Sequence, residues 1–183
     1  MPEVLQLIGG STVSCANEVC GTLGRLIIDP ATKSVTDLAV EPMGIRGTGR
    51  LVSIEHVEET DDTIHLSCSR ADFGSFNAAD ESHVMPTYTP RGGLPFDYVA
   101  FHQVPDGEVE VGGAEDIRAT DGPLGHLRGL EIDAKDHRVT QLILSIGHFS
   151  GKRSDSVPVA LVTAIGAEGI TLSITKSQVG DFH

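Results

Sequence analysis

The chain has 183 residues, of which 26 are acidic and 13 basic for a net charge of −13, and it contains no tryptophan. Because so acidic a surface repels polyanions, we do not expect it to bind nucleic acid. The sequence has no run of about 18 uncharged apolar residues and starts without the basic segment of a secretory signal, so we predict a cytoplasmic protein without a transmembrane segment.

The N-terminal part of the chain has the pattern of short strands joined by polar turns. Residues 26–28 and 35–40 flank a polar turn and predict a β-hairpin. A second hairpin is predicted to turn at residues 60–63. It leads into residues 64–69, where apolar and polar side chains alternate as in a strand with one buried face. Residues 70–80 can form one or two turns of helix.

Residues 81–111 form a connecting segment rich in proline and glycine, which argues against a helix. The segment is too apolar for a free linker, so we expect it to pack on the rest of the molecule. Residues 109–111 are predicted to add a strand. Long connections in compact proteins often carry function, which makes Arg91, Phe96 and Tyr98 candidates for an interaction surface.

The C-terminal part of the chain repeats the pattern of the N-terminal part. When residues 23–26 are placed on residues 124–127, three further blocks recur in the same order, provided that the second copy carries three extra residues near Arg128. The further blocks are residues 29–40 with 133–144, 52–57 with 157–162, and 64–70 with 170–176. Four blocks in one order indicate an internal duplication of a small all-β unit.

The second copy resembles the PRC-barrel family. The resemblance lies in residues 124–127, in Asp133, in residues 139–142 and in the apolar–Pro–apolar triplet that centres on Pro158. The first copy has Ser53 at the place of that proline and departs from the family there. The resemblance implies an SH3-like barrel, as in the cytoplasmic domain of the reaction-centre H subunit and the C-terminal domain of a ribosome-maturation factor. It also implies action by contact with other macromolecules, without bond-breaking chemistry.

We therefore predict an all-β fold of two tandem small SH3-like (PRC-type) β-barrels, related by pseudo-twofold symmetry, with a Pro/Gly-rich connecting segment. The predicted boundaries are residues 1–80 for the first PRC-barrel-like domain, 81–111 for the connecting segment and 112–183 for the second domain. Closing each sheet into a barrel would hide its edge strands from neighbouring chains.

The residue types that usually carry chemistry form no convincing site in the sequence. An odd number of cysteines without a secretion signal argues against a disulfide framework, so Cys15, Cys20 and Cys68 are interpreted as small buried side chains. The acidic run within residues 55–62 falls at a predicted turn and is interpreted as solvated, and the eight histidines are scattered. We predict no catalytic, cofactor-binding or metal-binding residues.

Lys152 and Arg153 form the only basic cluster of the sequence, in the stretch Gly151-Lys152-Arg153-Ser154. The stretch lacks the upstream glycine of a phosphate-binding loop, so a solvated loop is the simpler interpretation. The pair nevertheless joins the candidate interaction surface, because an anionic contact would form there first.

The predicted function is that of a non-enzymatic interaction or scaffolding module that binds a protein of unknown identity, a second copy of the chain included. One alternative is an RNA- or ribosome-assembly-associated factor, which would need a basic face. The residues available for such a face are Arg118, Arg128, Arg138, Lys152 and Arg153. The other alternative is a small-ligand or metal-binding protein with a site between the barrels.

Overall fold

The computed structural model describes residues 3–43, 49–86, 96–112, 115–146, 153–166 and 168–180, with the backbone alone for residues 81–101 and 153. Its regular structure is mostly strand. The elements of the N-terminal part are β1 (Val4–Ile8), β2 (Thr12–Cys15), β3 (Glu18–Asp29), β4 (Ser34–Glu41), β5 (Arg50–Ser53), a 3₁₀ turn (Ile54–His56), β6 (Val57–Thr60), β7 (Thr63–Leu66) and helix α1 (Arg70–Ser75).

The remaining elements are two strands of the connecting segment and a second series that follows the order of the first. They are β8 (Asp80–Pro86), β9 (Phe96–His102), β10 (Val109–Gly112), β11 (Asp116–Ala119), β12 (Gly122–Asp133), β13 (Val139–Ile146), β14 (Arg153–Pro158), a 3₁₀ turn (Val159–Leu161), β15 (Val162–Gly166), β16 (Gly169–Leu172) and helix α2 (Lys176–Val179). The all-β prediction is confirmed, as are the strand near residues 109–111 and the short helix after residue 69.

The strands form two seven-stranded sheets with matching strand order and one two-stranded sheet. The first sheet runs β5-β4-β3-β2-β7-β6, with β10 also paired to β3. The second runs β14-β13-β12-β11-β16-β15, with β1 also paired to β12. The two parts of the chain therefore exchange their first strands, because β1 joins the later sheet and β10 joins the earlier one. Strands β8 and β9 pair with each other.

The exchange is reciprocal at the level of single residues. Leu5 of β1 lies opposite Ile132 of β12, and Val109 of β10 lies opposite Ile28 of β3. Val109 follows Leu5 by 104 positions in the sequence, and Ile132 follows Ile28 by the same number. Apolar residues of both sheets belong to one buried cluster, which includes Leu7 of β1.

The turn after β3 contacts the turn after β12 through two backbone hydrogen bonds, and the same shift of 104 positions relates one bond to the other. The Val35 N–H donates to the His137 carbonyl oxygen, and the Val139 N–H donates to the Lys33 carbonyl oxygen, both at 2.9 Å. Lys33 and His137 both have positive φ, 55° and 57°. Each turn thus contacts the turn at the same place in the other sheet.

This displacement corrects the alignment made from sequence. Gly21, and not Gly24, corresponds to Gly125, so no extra residues are needed near residue 128. A Cβ on Gly21 would overlap the carbonyl oxygen of Glu41, and one on Gly125 would overlap that of Ser145. Glycine stands at both positions because the neighbouring backbone comes too close for any side chain.

In each sheet, the two strands at the ends of the six-strand order lie near each other. The outer strands β5 and β6 are consecutive in the chain and are joined only by the 3₁₀ turn Ile54–His56, which spans about 6 Å. The same holds for β14 and β15 in the second sheet. Among the described residues, no strand pairing joins the two ends of either path, so closure into a complete barrel is not seen.

Cys15 and Cys20 form a disulfide, which corrects the expectation that all three cysteines are separate buried thiols. Their burial was predicted correctly, and Cys68 is a buried free thiol. Cys20 is the extra residue of a β-bulge, because Val13 pairs with Gly21 while Ser14 pairs with Val19. A bulge redirects the side chain of its extra residue, so the spacing in sequence did not predict that the two sulfur atoms meet.

Candidate functional site

The chain covers the outer edge of β5 with its own residues. The Leu51 N–H donates to the Asn77 carbonyl oxygen, and the Ala79 N–H donates to the Gly49 carbonyl oxygen, both at 2.8 Å. Ala78 forms an antiparallel bridge with Arg50 of β5. Residues 77–79 therefore act as a short additional strand on this edge, although they are not part of the regular sheet.

A group of charged side chains fixes this covering segment to the first sheet. The Arg25 guanidinium lies 2.9 Å from the Asp80 carboxylate and 3.6 Å from that of Glu110. His102 in turn lies 2.7 Å from Glu110. The Asp80 side chain is only 4% exposed, so its charge needs the guanidinium beside it. The segment after α1, the connecting segment and β3 are thereby held together.

The corresponding edge of the second sheet is β14. Arg50 and Leu51 correspond to Asp155 and Ser156, because β5 and β14 end at Ser53 and Pro158, 105 positions apart. Strand β14 stands at one end of the strand order, and none of the described residues pairs with its outer side. Backbone groups of a strand alternate in direction, so the Ser156 N–H points away from β13 as the Leu51 N–H points away from β4.

A cavity of about 570 Å³ lies over the outward face of the second sheet and reaches β14 at one side. Its walls come from β1, β12, β13 and β14 of the second sheet and from the β6–β7 turn of the first. Gln6 joins the walls from the two sheets, since its N–H donates to the Thr60 hydroxyl at 2.9 Å. The cavity is therefore built by both parts of the chain.

The lining of the cavity is polar and acidic. Asp61, Asp62, Glu131 and the buried Asp155 contribute carboxylates, and Arg128 contributes the one guanidinium among the described lining residues. The carboxylates of Asp61, Asp62 and Glu131 outnumber the one guanidinium among the described lining residues, which makes the cavity suited to a cationic ligand.

Hydrogen bonds keep two of these carboxylates in place. The Thr63 N–H donates to Asp61 at 2.6 Å, and this bond, with the nearby His65, holds the pKa of Asp61 below its ordinary value. Glu131 accepts hydrogen bonds from the Thr140 hydroxyl at 3.2 Å and from the Gln6 amide at 3.4 Å. The acidic face of the cavity thus has a defined geometry at neutral pH.

Ser14, His65 and Asp61 stand in the order of a catalytic triad. The Ser14 hydroxyl lies 2.9 Å from the His65 Nδ1 atom, and the His65 Nε2 atom lies 3.4 Å from the Asp61 carboxylate. Ser14 is only 6% exposed and is not among the residues that line the acidic cavity, so a substrate carbonyl in that cavity would not reach its oxygen. The row serves to bind strand β7 and its turn to β2.

The residues predicted as an interaction surface are not brought together by any described contact. Arg91 and Lys152 lie outside the described residues. Phe96 and Tyr98 lie in β9, and Arg153 begins β14, but their side chains are outside the description. Only the position of Arg153 at the start of β14 relates this prediction to the cavity.

Sequence reasoning missed the cavity because its walls come from residues near 6, 61, 128, 141 and 155, which no local pattern connects. Part of it was visible in the acidic run, whose Asp61 and Asp62 line the cavity at the predicted turn. In the described part of the chain, no group of three His, Cys, Asp or Glu side chains is placed to hold a metal ion. None of the helices in that part is long and apolar enough to span a membrane.

Comparison with known proteins gives no independent assignment: no protein-family model matches the chain, and no curated protein matches it.

Proposed function

We propose that the chain is a non-enzymatic protein-interaction module whose binding site is the acidic cavity beside β14. The single observation that carries the proposal is this cavity, which residues of both sheets build jointly and line mainly with polar and acidic side chains. The outer side of β14, with which none of the described residues pairs, lies next to this cavity, and unpaired strand edges invite pairing with other chains.

We further propose that the two sheets are SH3-like barrels of the PRC type related by a pseudo-twofold axis. The matching strand orders, the displacement of 104 positions and the strong curl of each path support this proposal. The exchange of β1 and β10 is what a homodimer with swapped strands would become after its two genes were joined. In this view, a cytoplasmic location remains part of the proposal, drawn from the sequence.

The lining chemistry favours a protein partner over the alternatives. Small-molecule sites are mostly apolar with a few polar groups, whereas Ile8 and Ile143 are the only aliphatic residues among the described lining. A nucleic acid would meet carboxylates where it needs cations. Because the Ser14 hydroxyl is buried, the triad-like row does not favour an enzyme either.

Site-specific photocrosslinking tests the proposal. A photoreactive side chain is placed at Asp62, which is exposed and lines the cavity, and a matched one at Thr163, which is exposed on β15 away from the lining. We expect one defined protein to be captured from Asp62 and not from Thr163, and the capture to fail when Glu131→Lys is added. Equal capture from both positions, or capture that ignores Glu131→Lys, would overturn the proposed site.

A further inference from the structure

We propose that acidification weakens binding at the acidic cavity, because His65 takes up a proton beside the Asp61 carboxylate that lines the cavity. The inference rests on the proposed interaction function and adds the regulation of that same site. Its basis is the row formed by Ser14, His65 and Asp61, which joins strand β2 to the turn in the cavity wall.

His65 stands between a hydroxyl group and a carboxylate. Its Nδ1 atom lies 2.9 Å from the Ser14 hydroxyl oxygen, and its Nε2 atom lies 3.4 Å from the Asp61 carboxylate. A neutral ring with its hydrogen on Nε2 faces Asp61 with an N–H group and accepts a hydrogen bond from the Ser14 hydroxyl. A protonated ring has an N–H group on both sides, and the hydroxyl turns to accept. The row can therefore change its charge while both contacts stay in place.

The strands on either side of β7 place one acidic and one uncharged residue next to His65. Glu59 of β6 lies opposite His65 in the antiparallel pair, and Ser14 of β2 lies opposite it in the parallel pair. Asp61 belongs to the turn between β6 and β7. The His65 side chain is 36% exposed, so it exchanges protons with water, and imidazoles change their charge between about pH 5 and 8.

Two other charged or titratable side chains lie near the row. The Arg70 guanidinium of α1 donates to the carbonyl oxygen of Val19 at 2.7 Å, one strand beyond Ser14. The His56 Nδ1 atom lies 3.4 Å from the hydroxyl oxygen of Ser67. Neither Arg70 nor His56 lines the cavity. Within the described ranges, His65 is therefore the histidine whose charge acts on a lining carboxylate through direct contact.

Asp61 keeps its own charge over the pH range in which His65 changes. The hydrogen bond from the Thr63 N–H, with the nearby His65, holds the pKa of Asp61 below its ordinary value of 3.8. Between about pH 7.5 and about pH 5.5, the change in charge beside Asp61 therefore comes from the imidazole. The new positive charge cancels part of the attraction that Asp61 exerts on a cationic group in the cavity. By thermodynamic linkage, a bound cation opposes the protonation of His65 to the same degree.

The first experiment repeats the photocrosslinking from Asp62 at about pH 7.5 and about pH 5.5 with the full chain. At the lower pH, capture by the natural chain should fall at least about twofold. His65→Gln takes up no proton and should capture equally at both pH values, whereas His65→Lys is charged at both and should capture weakly at both. The matched control is His126→Gln, because His126 lies 3.1 Å from Asp116 outside the cavity lining; this variant should behave as the natural chain.

The second experiment needs no partner, because it measures the electrostatic potential of the cavity directly. A small cationic nitroxide and its anionic counterpart are added to the full chain, and NMR compares how strongly each relaxes the Asp62 amide proton. The ratio of the cationic to the anionic effect should fall about twofold between about pH 7.5 and about pH 5.5 in the natural chain, and much less in His65→Gln. The Thr163 amide on β15, away from the lining, is the reference.

The outcomes distinguish the regulation from the function. If capture from Asp62 has the same pH dependence in the natural chain and in His65→Gln, the role of His65 is wrong and the interaction function stands. The same conclusion follows if the nitroxide ratio changes equally in these two forms. If no protein is captured from Asp62 at either pH, the proposed function is wrong and the regulation of binding falls with it.

Discussion

The exchanged strands give the sharpest test of the fold, through Leu7→Ala. Leu7 is fully buried in β1 and lies opposite Leu130 of β12. The substitution removes three carbon atoms, worth about 2.4 kcal/mol at about 0.8 kcal/mol per buried methylene. The cavity left behind adds to this loss, so we expect the free energy of unfolding to fall by about 2.7–5 kcal/mol.

The place of the damage is more informative than its size. Native-state hydrogen exchange should show reduced protection first in residues 129–133 of β12, more than 120 positions from the substitution in sequence, because β1 pairs there. The reciprocal control is Val111→Ala in β10, which should expose β3 near Leu26 and cost about 2–3 kcal/mol. Protection lost only in β2 and its neighbours after Leu7→Ala would refute the exchange.

Three further predictions concern the disulfide, an acidic cap and a glycine. The second sheet has Ala119 and Leu124 at the positions 104 residues after Cys15 and Cys20, so the double substitution Cys15→Ala and Cys20→Leu should keep the fold. The free energy of unfolding in urea should fall by about 2 kcal/mol, which is the entropy of closing a loop of about six residues. Hydrogen bonds from Ser69 at the start of α1 lower the Asp72 pKa, so the stabilisation by this carboxylate is present above about pH 3.8 and is lost as the pH falls further. The melting temperature of Asp72→Asn should therefore fall less on acidification than that of the natural chain. Gly21→Ala should cost about 1–3 kcal/mol because its Cβ meets a backbone carbonyl, whereas Gly24→Ala, which meets only a flexible side chain, should be milder in the same urea titration.

Local patterns in the sequence predicted local structure well. Alternation and turn residues located the β3–β4 hairpin and the turn at Asp61 and Asp62, and helix α1 lies within the predicted helical stretch, residues 70–80. These features depend on interactions between residues a few positions apart, which a sequence displays directly. The two seven-stranded sheets have the same strand order, and the tandem duplication itself stays a prediction.

The sequence alone did not predict which strands pair with each other. Residues 4–8 alternate in the same way whether they pair with β3 or with β12, since a strand's own pattern specifies which face is buried and leaves the neighbour open. The misplaced glycine has a similar cause. A Leu-Gly match at residues 23–24 looked better than the correct match of Gly21 with Gly125, because the carbonyl that demands glycine is contributed by another strand.

The sequence also gave no sign that the β5 and β14 edges differ in the described part of the chain. In the first sheet residues 77–79 occupy the edge, and in the second the described residues leave it open. Such a difference becomes visible only when the two sheets are compared residue by residue. The sequence prediction of Arg91, Phe96, Tyr98, Lys152 and Arg153 relied instead on composition, and it remains a prediction.

The strand exchange and the proposed binding site are physically connected. The exchange places β1, with Gln6 and Ile8, in the wall of the cavity, and the Gln6–Thr60 hydrogen bond holds that wall against the turn that carries Asp61. A cavity whose walls are fixed before binding spares the ligand the entropy cost of ordering them. Had β1 paired within its own half, the turn at Asp61 would face a sheet edge without this wall. The exchange therefore does more than join two halves, because it also builds the acidic side of the site from residues that neither half could bring together alone.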